Sequence, residues 1–289
     1  MRAAFAAAVL LLPALGRAQD EPLSAAADGA LAFVDAARGA APAPPTPARL
    51  EARVEAALAG TVPRAYVRAA FADPRTKVLD GIAERFGKPA ESLPYPEYRK
   101  LFVTEANIAD GARFLAEHRD LLERVRARYG VDGGLLAALV CVETRYGRST
   151  GTIPVFDDLY TIALEVAPMS DWAARELAAF LKAARAQGVD PHVPLGSYAG
   201  ATGYVQFEPT TAAAYAVDFD GDGRVDLGSW PDALGSAAHY LARSGYDASA
   251  AFTPGSAIGR AIFAYNHSDD YVRVVLELRG EIVKRAAAD

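Results

Sequence analysis

The chain has 289 residues, and its apolar (52%) and charged (23%) fractions are those of an ordinary globular protein. Its formal net charge of −6 provides no basic field to attract nucleic acid, so an anionic polymer would be held by local hydrogen bonds. Because Cys141 is the only cysteine, we expect neither an intrachain disulfide nor a lipid attached through a cysteine near the N-terminus.

The first residues have the pattern of an export signal. Arg2 precedes an apolar stretch over residues 3–15, and small residues follow up to Ala18. The stretch is shorter than the roughly 20 apolar residues that a membrane-spanning helix needs. We therefore predict a cleaved signal peptide over residues 1–18, no membrane span, and a periplasmic protein without a lipid anchor.

An Ala/Pro-rich segment follows the predicted signal peptide. Four prolines lie between residues 42 and 47, which favours extended backbone without regular hydrogen bonds. We interpret residues 19–48 as a linker. The remaining residues, 49–289, are numerous enough for one sizeable core or for a core with a subsidiary lobe.

Helical periodicity dominates this remaining part. It is clearest over residues 105–129, where Thr104 is suited to cap the start and Gly130 to end the helix. Similar patterns predict helices over residues 49–58, 76–86, 171–187, 230–243 and 268–279. Alternating runs typical of strands stay short, so the predicted fold class is mainly α.

Glu143 ends the apolar helical run of residues 135–142. The apolar side chains on its helical face are Leu136, Leu139 and Val140. Burial among them would disfavour the charged carboxylate and raise its pKa, as a general acid at neutral pH requires. The alternative is a helix-end glutamate paired with Arg145 or Arg148.

The segment of residues 197–209 mixes small residues, aromatic residues and one amide. Gly200 and Gly203 are unsuited to a helix and predict close backbone approach by a polymer or another chain. The residues suited to contact sugar rings are Tyr204, Gln206 and Phe207, which offer two flat faces and an amide that donates and accepts. A tight loop packed against its own core is the alternative.

Acidic residues alternate over residues 218–226, with Gly223 at the sixth position, as in a loop that wraps oxygen atoms around Ca²⁺. Ser229 stands where such loops place a bidentate glutamate, but Asp232 follows three residues later. Carboxylates this close repel one another unless a cation neutralises them. A metal-free surface turn is the alternative.

Near the C-terminus, Tyr265 and Asn266 follow an apolar run, and Ser268 is suited to cap the next helix. Both side chains could donate hydrogen bonds to a ligand. Alternatively, Asn266 and His267 only shape the turn into that helix.

The motifs described above, taken in their order along the chain, resemble those of the membrane-bound lytic transglycosylase B type of peptidoglycan-cleaving enzymes. The resemblance covers residues 98–280. It is carried by residues 105–109, 142–148, 197–209, 218–232 and 265–268. It implies a lysozyme-like helical core with an additional helical lobe and an EF-hand-like calcium loop.

The resemblance also implies roles for individual residues. Glu143 matches the single catalytic acid/base. Residues that line the glycan cleft are matched by Ser197, Gln206, Tyr265 and Asn266. The calcium ligands are matched by Asp218, Asp220, Asp222, the backbone carbonyl of Arg224, and Asp232. No organic cofactor is implied.

The implied reaction cleaves the β-1,4 bond between N-acetylmuramic acid (MurNAc) and N-acetylglucosamine (GlcNAc). Glu143 protonates the glycosidic oxygen and then takes the proton of the muramyl C6 hydroxyl, which closes a 1,6-anhydro ring. A second carboxylate is not required; Asp157 and Glu208 are the nearby acids that could otherwise act as a nucleophile.

The chain departs from the family's pattern in two places. Members of the family often have adjacent arginines after the proline that corresponds to Pro168, and this chain has none there. The link between Tyr246 and Tyr265 is also shorter than in fuller members of the family. These differences affect how the charged groups and the length of the glycan are recognised. Two rival functions remain at this stage: a hydrolytic muramidase that uses the same glutamate, and a calcium-stabilised protein that binds peptidoglycan without cleaving it.

Overall fold

The structure is a computed structural model that describes residues 45–86 and 93–288. The predicted signal peptide and most of the predicted linker lie outside the described residues. The first helix begins at Pro47, and the Thr46 side chain caps it by accepting from the Arg49 N–H. No helix in residues 45–86 and 93–288 combines the length and apolar character needed to cross a bilayer.

The described part is mainly helical, as predicted. Its helices are α1 Pro47–Ala57, α2 Arg64–Phe71, α3 Ile82–Phe86, α4 Tyr95–Phe102, α5 Glu105–Glu117, α6 Arg119–Tyr129, α7 Gly133–Thr144, α8 Val155–Glu165, α9 Ser170–Gln187, α10 Pro209–Tyr215, α11 Trp230–Arg243, α12 Ala257–Tyr265 and α13 Asp269–Ala286. A 3-10 turn at Ala167–Met169 precedes α9. Strands β1, Ile153–Pro154, and β2, Leu195–Gly196, form an antiparallel pair in which Ile153 faces Gly196.

The helices enclose two hydrophobic cores. The first surrounds α7 and is built from α4–α7 and α11–α13. The second lies among α1–α3, α8 and α9, and forms the predicted additional lobe. The segment of residues 197–207 joins them, because Tyr198 and Ala199 pack in the second core whereas Val205 and Phe207 pack in the first.

The helix predicted over residues 105–129 is two helices. Thr104 and Gly130 cap its outer ends as predicted: the Thr104 side chain accepts from Asn107 N–H, and Gly130 is left-handed with φ 74°. The chain breaks at His118, which has non-helical backbone angles and ends α5. At this break the His118 ring packs against Trp230 of α11, with ring centroids 5.4 Å apart, a tertiary contact that the local helical pattern does not contain.

The helix predicted over residues 76–86 is also wrong for most of its length, since only Ile82–Phe86 is helical. The backbone N–H groups of Lys77 and Leu79 donate to Asp157 Oδ1 and Thr161 Oγ1 of α8, at 3.4 and 2.9 Å. The segment therefore satisfies its backbone groups against a neighbouring helix. Sequence periodicity gives no sign of these distant partners.

Candidate active site

Glu143 lies in the last turn of α7, which is buried on every side. The Asp132 side chain caps the helix by accepting from the Leu135 N–H at 2.9 Å. Every residue from Gly134 to Thr144 is buried, and Glu143 itself is 3% exposed. Helices α5 and α13 both pack against it. The predicted burial of Glu143 among apolar residues is therefore confirmed.

The chain turns sharply after α7. Arg145, Tyr146 and Gly147 follow one another with φ of 49°, 59° and 78°, in the left-handed region. Arg145 and Tyr146 are not glycine, and the left-handed conformation costs a residue with a Cβ roughly 1–2 kcal/mol. This turn ends α7 at Thr144, the residue after Glu143, and conformational strain of this kind concentrates at functional sites.

The Glu143 carboxyl group contacts a tyrosine from α13. The Tyr271 hydroxyl donates a hydrogen bond to Glu143 Oε1, and the tyrosine side chain is fully buried. Burial, followed by the negative charge of Glu143, holds the pKa of Tyr271 well above its usual value. Tyr271 therefore keeps its proton and remains a donor. Arg148, one of the two predicted ion-pair partners of Glu143, pairs with Asp110.

Tyr265 lies near the same carboxyl group at the end of α12. Its hydroxyl donates to the Val205 carbonyl at 2.5 Å. Burial and then the charge of Glu143 raise the pKa of Tyr265. The next residue, Asn266, is 3% exposed and ends α12 with extended backbone. The structure thus brings the predicted Tyr265 and Asn266 to the core that surrounds Glu143.

Gln206 is held in a fixed orientation beside this core. It has a left-handed backbone with φ 49° and is 6% exposed. Its Nε2 donates to the carbonyls of Thr150 and Gly203, at 3.3 and 2.9 Å. Its Oε1 is buried without a hydrogen-bond partner among the described residues. The acceptor oxygen is therefore the part of Gln206 left to bind a donor.

Tyr204 connects the site to two other elements. Its carbonyl accepts from the Thr144 hydroxyl at 2.9 Å, and Thr144 is the residue after Glu143. Its N–H donates to the Leu227 carbonyl at 2.8 Å. Its ring packs against that of Trp230, with centroids 4.1 Å apart and ring planes inclined by 31°, and remains partly exposed.

Two other predicted residues lie in the interior. Ser197 is fully buried, and its Oγ accepts from the N–H groups of Ala199 and Ala201, both at 3.2 Å. Phe207 is 2% exposed, and its ring packs 5.9 Å from that of Tyr265. Neither side chain presents an open face. Ser197 shapes the turn, and Phe207 supports Tyr265.

The glycines of this segment make room for the chain's own side chains. A Cβ on Gly200 would lie 2.8 Å from Leu159 Cδ2, and one on Gly203 would lie 2.4 Å from Leu227 Cβ. Both glycines have φ above 70°. Approach by a polymer, which the sequence predicted from these glycines, is not the reason for them; the tight-loop alternative is correct for these two positions.

The acidic loop, residues 218–232, gathers carboxylates around backbone donors. Oxygen atoms of Asp218, Asp220 and Asp222 lie within 4.8 Å of one another. Asp218 accepts from the N–H groups of Gly221 and Gly223, at 2.7 and 2.9 Å. Hard oxygen ligands clustered in this way suit Ca²⁺.

Asp232 closes the acidic loop from the first turn of α11. It is 2% exposed, and its two oxygen atoms accept from the N–H groups of Phe219 and Asp226, both at 2.8 Å. This carboxylate therefore joins the entry and exit of the loop. The cluster of close carboxylate oxygen atoms contains Asp218, Asp220 and Asp222, so the role of Asp232 as a metal ligand stays a prediction.

The family model described as "Transglycosylase SLT domain" matches residues 47–258. The chain belongs to this family. The predicted fold class and the resemblance to lytic transglycosylases are confirmed, and the predicted enzyme class agrees with the family.

Individual relatives of this transglycosylase family are similar in sequence and in structure. The chain is 39% identical over 149 residues to membrane-bound lytic murein transglycosylase B of Escherichia coli (strain K12), which covers 52% of this chain and 41% of the relative. The chain therefore matches about two fifths of that relative's length.

Two solved structures are also similar to the chain. One is E. coli lytic transglycosylase Slt35 in complex with calcium, with a TM-score of 0.73 and 25% identity over 84% of this chain and 94% of the other. Another is SltB3 from Pseudomonas aeruginosa in complex with NAG-anhNAM-pentapeptide, with a TM-score of 0.70 and 27% identity over 81% of this chain and 78% of the other.

Sequence reasoning missed Tyr271, the residue that contacts Glu143. It lies in the first turn of α13, where the Ser268 side chain accepts from its N–H at 3.2 Å. The predicted cap at Ser268 is confirmed. A bulky tyrosine at the buried start of a predicted helix was the available signal, but nothing in the sequence places α13 against α7.

Proposed function

We propose that the protein is a peptidoglycan lytic transglycosylase in which Glu143 acts first as acid and then as base. It cleaves the β-1,4 bond between MurNAc and GlcNAc and leaves 1,6-anhydro-MurNAc ends. The observation that carries this proposal is the buried carboxyl group of Glu143, set at the end of an apolar helix and contacted by the Tyr271 hydroxyl. Membership of the transglycosylase family supports the class of reaction.

The first step transfers a proton from Glu143 to the glycosidic oxygen. The bond between that oxygen and C1 of MurNAc then breaks, and GlcNAc leaves with a new hydroxyl group. Burial favours the protonated acid before this step. The Tyr271 hydroxyl donates to the carboxylate that forms, which stabilises the negative charge.

The second step uses the same carboxylate as base. It removes the proton of the muramyl C6 hydroxyl while that oxygen forms a bond to C1. The anhydro ring closes, Glu143 regains its proton, and no water is consumed. One carboxyl group therefore serves both proton transfers, unlike the pair that most glycosidases use. Asp157 and Glu208 have no part in this scheme.

We assign substrate contacts to side chains around this carboxyl group. Gln206 Oε1 accepts a donor from the glycan, the partly exposed Tyr204 ring contacts a sugar face, and Asn266 hydrogen-bonds the strand. Tyr265, which lies near Glu143, is the last of the side chains that we assign to substrate contact. Ser197 and Phe207 act through neighbours, since both are buried.

We further propose that the acidic loop binds a structural Ca²⁺. The ligands are Asp218, Asp220, Asp222, the carbonyl of Arg224, and Asp232. The ion neutralises the clustered carboxylates and rigidifies the loop, whose later residue Leu227 accepts from the Tyr204 N–H. The similar Slt35 has been crystallised with calcium. The ion takes no part in proton transfer, and no organic cofactor is needed.

The substrate proposal extends to location and partners. Peptidoglycan glycan strands are the partner, and the similar SltB3 has been crystallised with a NAG-anhNAM-pentapeptide. A signal peptide over residues 1–18 would deliver an unlipidated protein to the periplasm. The predicted boundary at residue 49 moves to Pro47, where α1 begins, so residues 19–46 would serve as a linker and 47–289 as the catalytic domain.

Mass spectrometry of the soluble products released from purified peptidoglycan tests this function. Products with anhydro ends, each one water lighter than the reducing-end product, are expected. Reducing-end products would instead identify a hydrolytic muramidase. Binding to peptidoglycan without release of products would identify a non-catalytic binding protein.

A further inference from the structure

The hydroxyl of Thr144, the residue after Glu143, has hydrogen-bond partners in three segments. Thr144 is fully buried at the C-terminal end of α7. Its Oγ1 lies 2.9 Å from the Tyr204 carbonyl and 3.2 Å from the Val140 carbonyl, and it accepts from the Gly147 N–H at 3.1 Å. One side chain therefore connects the helix that carries Glu143, the turn that follows it and the loop that carries Tyr204.

The single proton of this hydroxyl serves mainly the Tyr204 carbonyl. The Val140 carbonyl lies one turn back in the same helix and already accepts from the Tyr146 N–H at 3.2 Å. The Tyr204 carbonyl is nearer to the hydroxyl and belongs to a residue 60 positions away. Because a hydroxyl offers one donor and two acceptor sites, Thr144 can donate to Tyr204 while it accepts from Gly147.

The bond to Gly147 acts on a strained turn. Arg145, Tyr146 and Gly147 all have left-handed backbone, and such backbone persists only where the surrounding contacts hold it. The Thr144 carbonyl also accepts from the Ser149 N–H at 3.0 Å, beyond the strained residues. The hydroxyl and the carbonyl of Thr144 thus both hold the turn against the end of α7.

We propose that Thr144 is a positioning residue, which fixes the distance between the Glu143 carboxyl group and the sugar held by the Tyr204 ring. This inference rests on the proposed function and extends it, since it assigns the alignment of acid and sugar to a fully buried hydroxyl that the glycan does not reach. Proton transfer needs the glycosidic oxygen within hydrogen-bond reach of Glu143. Without the hydroxyl, the acid and the ring both remain, but the link between them is lost.

Thr144→Val removes the hydroxyl and keeps the shape of the side chain. We expect kcat on purified glycan strands to fall about tenfold, as loss of one buried hydrogen bond provides. KM should change by about twofold at most, because the Tyr204 ring still contacts its sugar. Thr144→Ser keeps the hydroxyl and should have a kcat within about twofold of the wild type. A kcat of Thr144→Val equal to that of the wild type would overturn the proposal.

Thr161→Val is the matched control. Thr161 is fully buried in α8, a helix of the second core. Its hydroxyl donates to the carbonyl four residues back at 2.6 Å and accepts from the Leu79 N–H at 2.9 Å. It has the arrangement of Thr144 without the bond to Tyr204, so Thr161→Val should also lower Tm but leave kcat unchanged. An equal fall of kcat in both variants would overturn the proposal, because it would assign the effect to stability.

A double-mutant cycle tests whether Thr144 acts through Tyr204. Tyr204→Leu removes the ring whose position the hydroxyl sets, so Thr144→Val should lower kcat much less in this background than in the wild type. A role for Thr144 in stability alone predicts the same fold-decrease in both backgrounds. Additive effects would therefore overturn the proposal.

Hydrogen exchange gives a readout that does not depend on cleavage. Thr144→Val should speed amide exchange at Gly147 and Tyr204, whereas Thr161→Val should speed exchange at Leu79. If the wild type cleaves nothing, the proposed function fails, and this exchange pattern alone then decides whether Thr144 links α7 to the loop of Tyr204. Unchanged exchange at Gly147 and Tyr204 in Thr144→Val would overturn the proposal, whether or not the wild type cleaves.

Discussion

The end of α7 and the acidic loop hold carboxylates by opposite means. Glu143 is 3% exposed and lies among apolar side chains, with a hydroxyl donor from Tyr271. Asp220 and Asp222 are exposed, and the acidic loop orients its carboxylates with its own backbone N–H groups. Side-chain packing positions the Glu143 carboxyl group, whereas hydrogen bonds within the turn position the carboxylates of the acidic loop.

The difference determines what each carboxylate is suited to do. A single buried carboxyl group is favoured in its protonated form and can exchange a proton with a substrate. Several carboxylates close together supply the hard oxygen ligands that a divalent cation needs. Tyr204 joins the two regions, since its carbonyl accepts from Thr144 and its N–H donates to Leu227.

The largest expected effect comes from Glu143→Gln. This change keeps the shape of the side chain but removes the proton that the acid donates, so kcat should fall by about 10³-fold or more. Release of anhydro products under saturating substrate measures it. Glu117→Gln changes an exposed glutamate at the end of α5 and should leave kcat unchanged. Near-normal turnover in Glu143→Gln would remove this residue from the mechanism.

Tyr271→Phe should have the next largest effect. It removes the hydrogen bond to Glu143 Oε1, and bonds to charged groups contribute about 1.5–3 kcal/mol, so kcat should fall at least about tenfold. KM should change little, since Tyr271 is fully buried. Tyr215→Phe removes a hydroxyl from α10 as the control. A rise in KM with kcat unchanged would assign Tyr271 to substrate binding instead of positioning.

Removal of calcium should affect stability more than chemistry. At about 100 times Kd, an ion that binds only the folded state adds about 2.7 kcal/mol. For a chain of this size that raises Tm by roughly 5–10 °C. Calorimetry with chelator and with added Ca²⁺ measures the shift. Asp218→Asn should remove it, whereas Asp80→Asn, an exposed aspartate outside the acidic loop, should retain it. A calcium-independent Tm in the wild type would count against the site.

The smallest expected effect is a pH dependence at Glu277. Its pKa is lowered by hydrogen bonding to Arg99, with Tyr95 also donating. A lowered folded-state pKa stabilises the protein above the unfolded value of about 4.3, and this contribution is lost as pH falls through the folded value. The pair is partly exposed, so solvent screening limits the contribution to about 0.5 kcal/mol.

Glu277→Gln should therefore lower Tm by about 1–2 °C at pH 7. The difference from the wild type should disappear when the pH falls below the folded-state pKa of Glu277. Thermal scans across this range measure it. A difference that persists unchanged at the lowest pH would assign the effect to packing, since it would not depend on the charge of Glu277.

The sequence predicted a local feature correctly where the residues that produce it lie in the same segment. Thr104, Gly130 and Ser268 end or begin helices through neighbours within a few residues, and all three are confirmed. Burial of Glu143 also followed from its own helix, because apolar residues surround it on every face of α7. The family resemblance rested on several such segments in one order.

Features with distant partners could not be predicted in this way. The break at His118 lies where this ring contacts Trp230 of α11, and the extended residues before Ile82 bond to α8. The Tyr271 contact joins residues 128 positions apart. Likewise, the sequence predicts an open sugar-binding face at Phe207, but its ring packs against Tyr265. Each outcome is set by which helices pack together, and local periodicity does not contain that information.

A crystal structure of the Glu143→Gln variant with a glycan strand across the site tests the central claim most directly. We predict that the carboxamide at position 143 lies about 3 Å from the glycosidic oxygen between MurNAc and GlcNAc. The muramyl C6 hydroxyl should lie near the same group. A strand whose scissile bond instead faces Asp157 or Glu208, or which binds away from α7, would contradict the account.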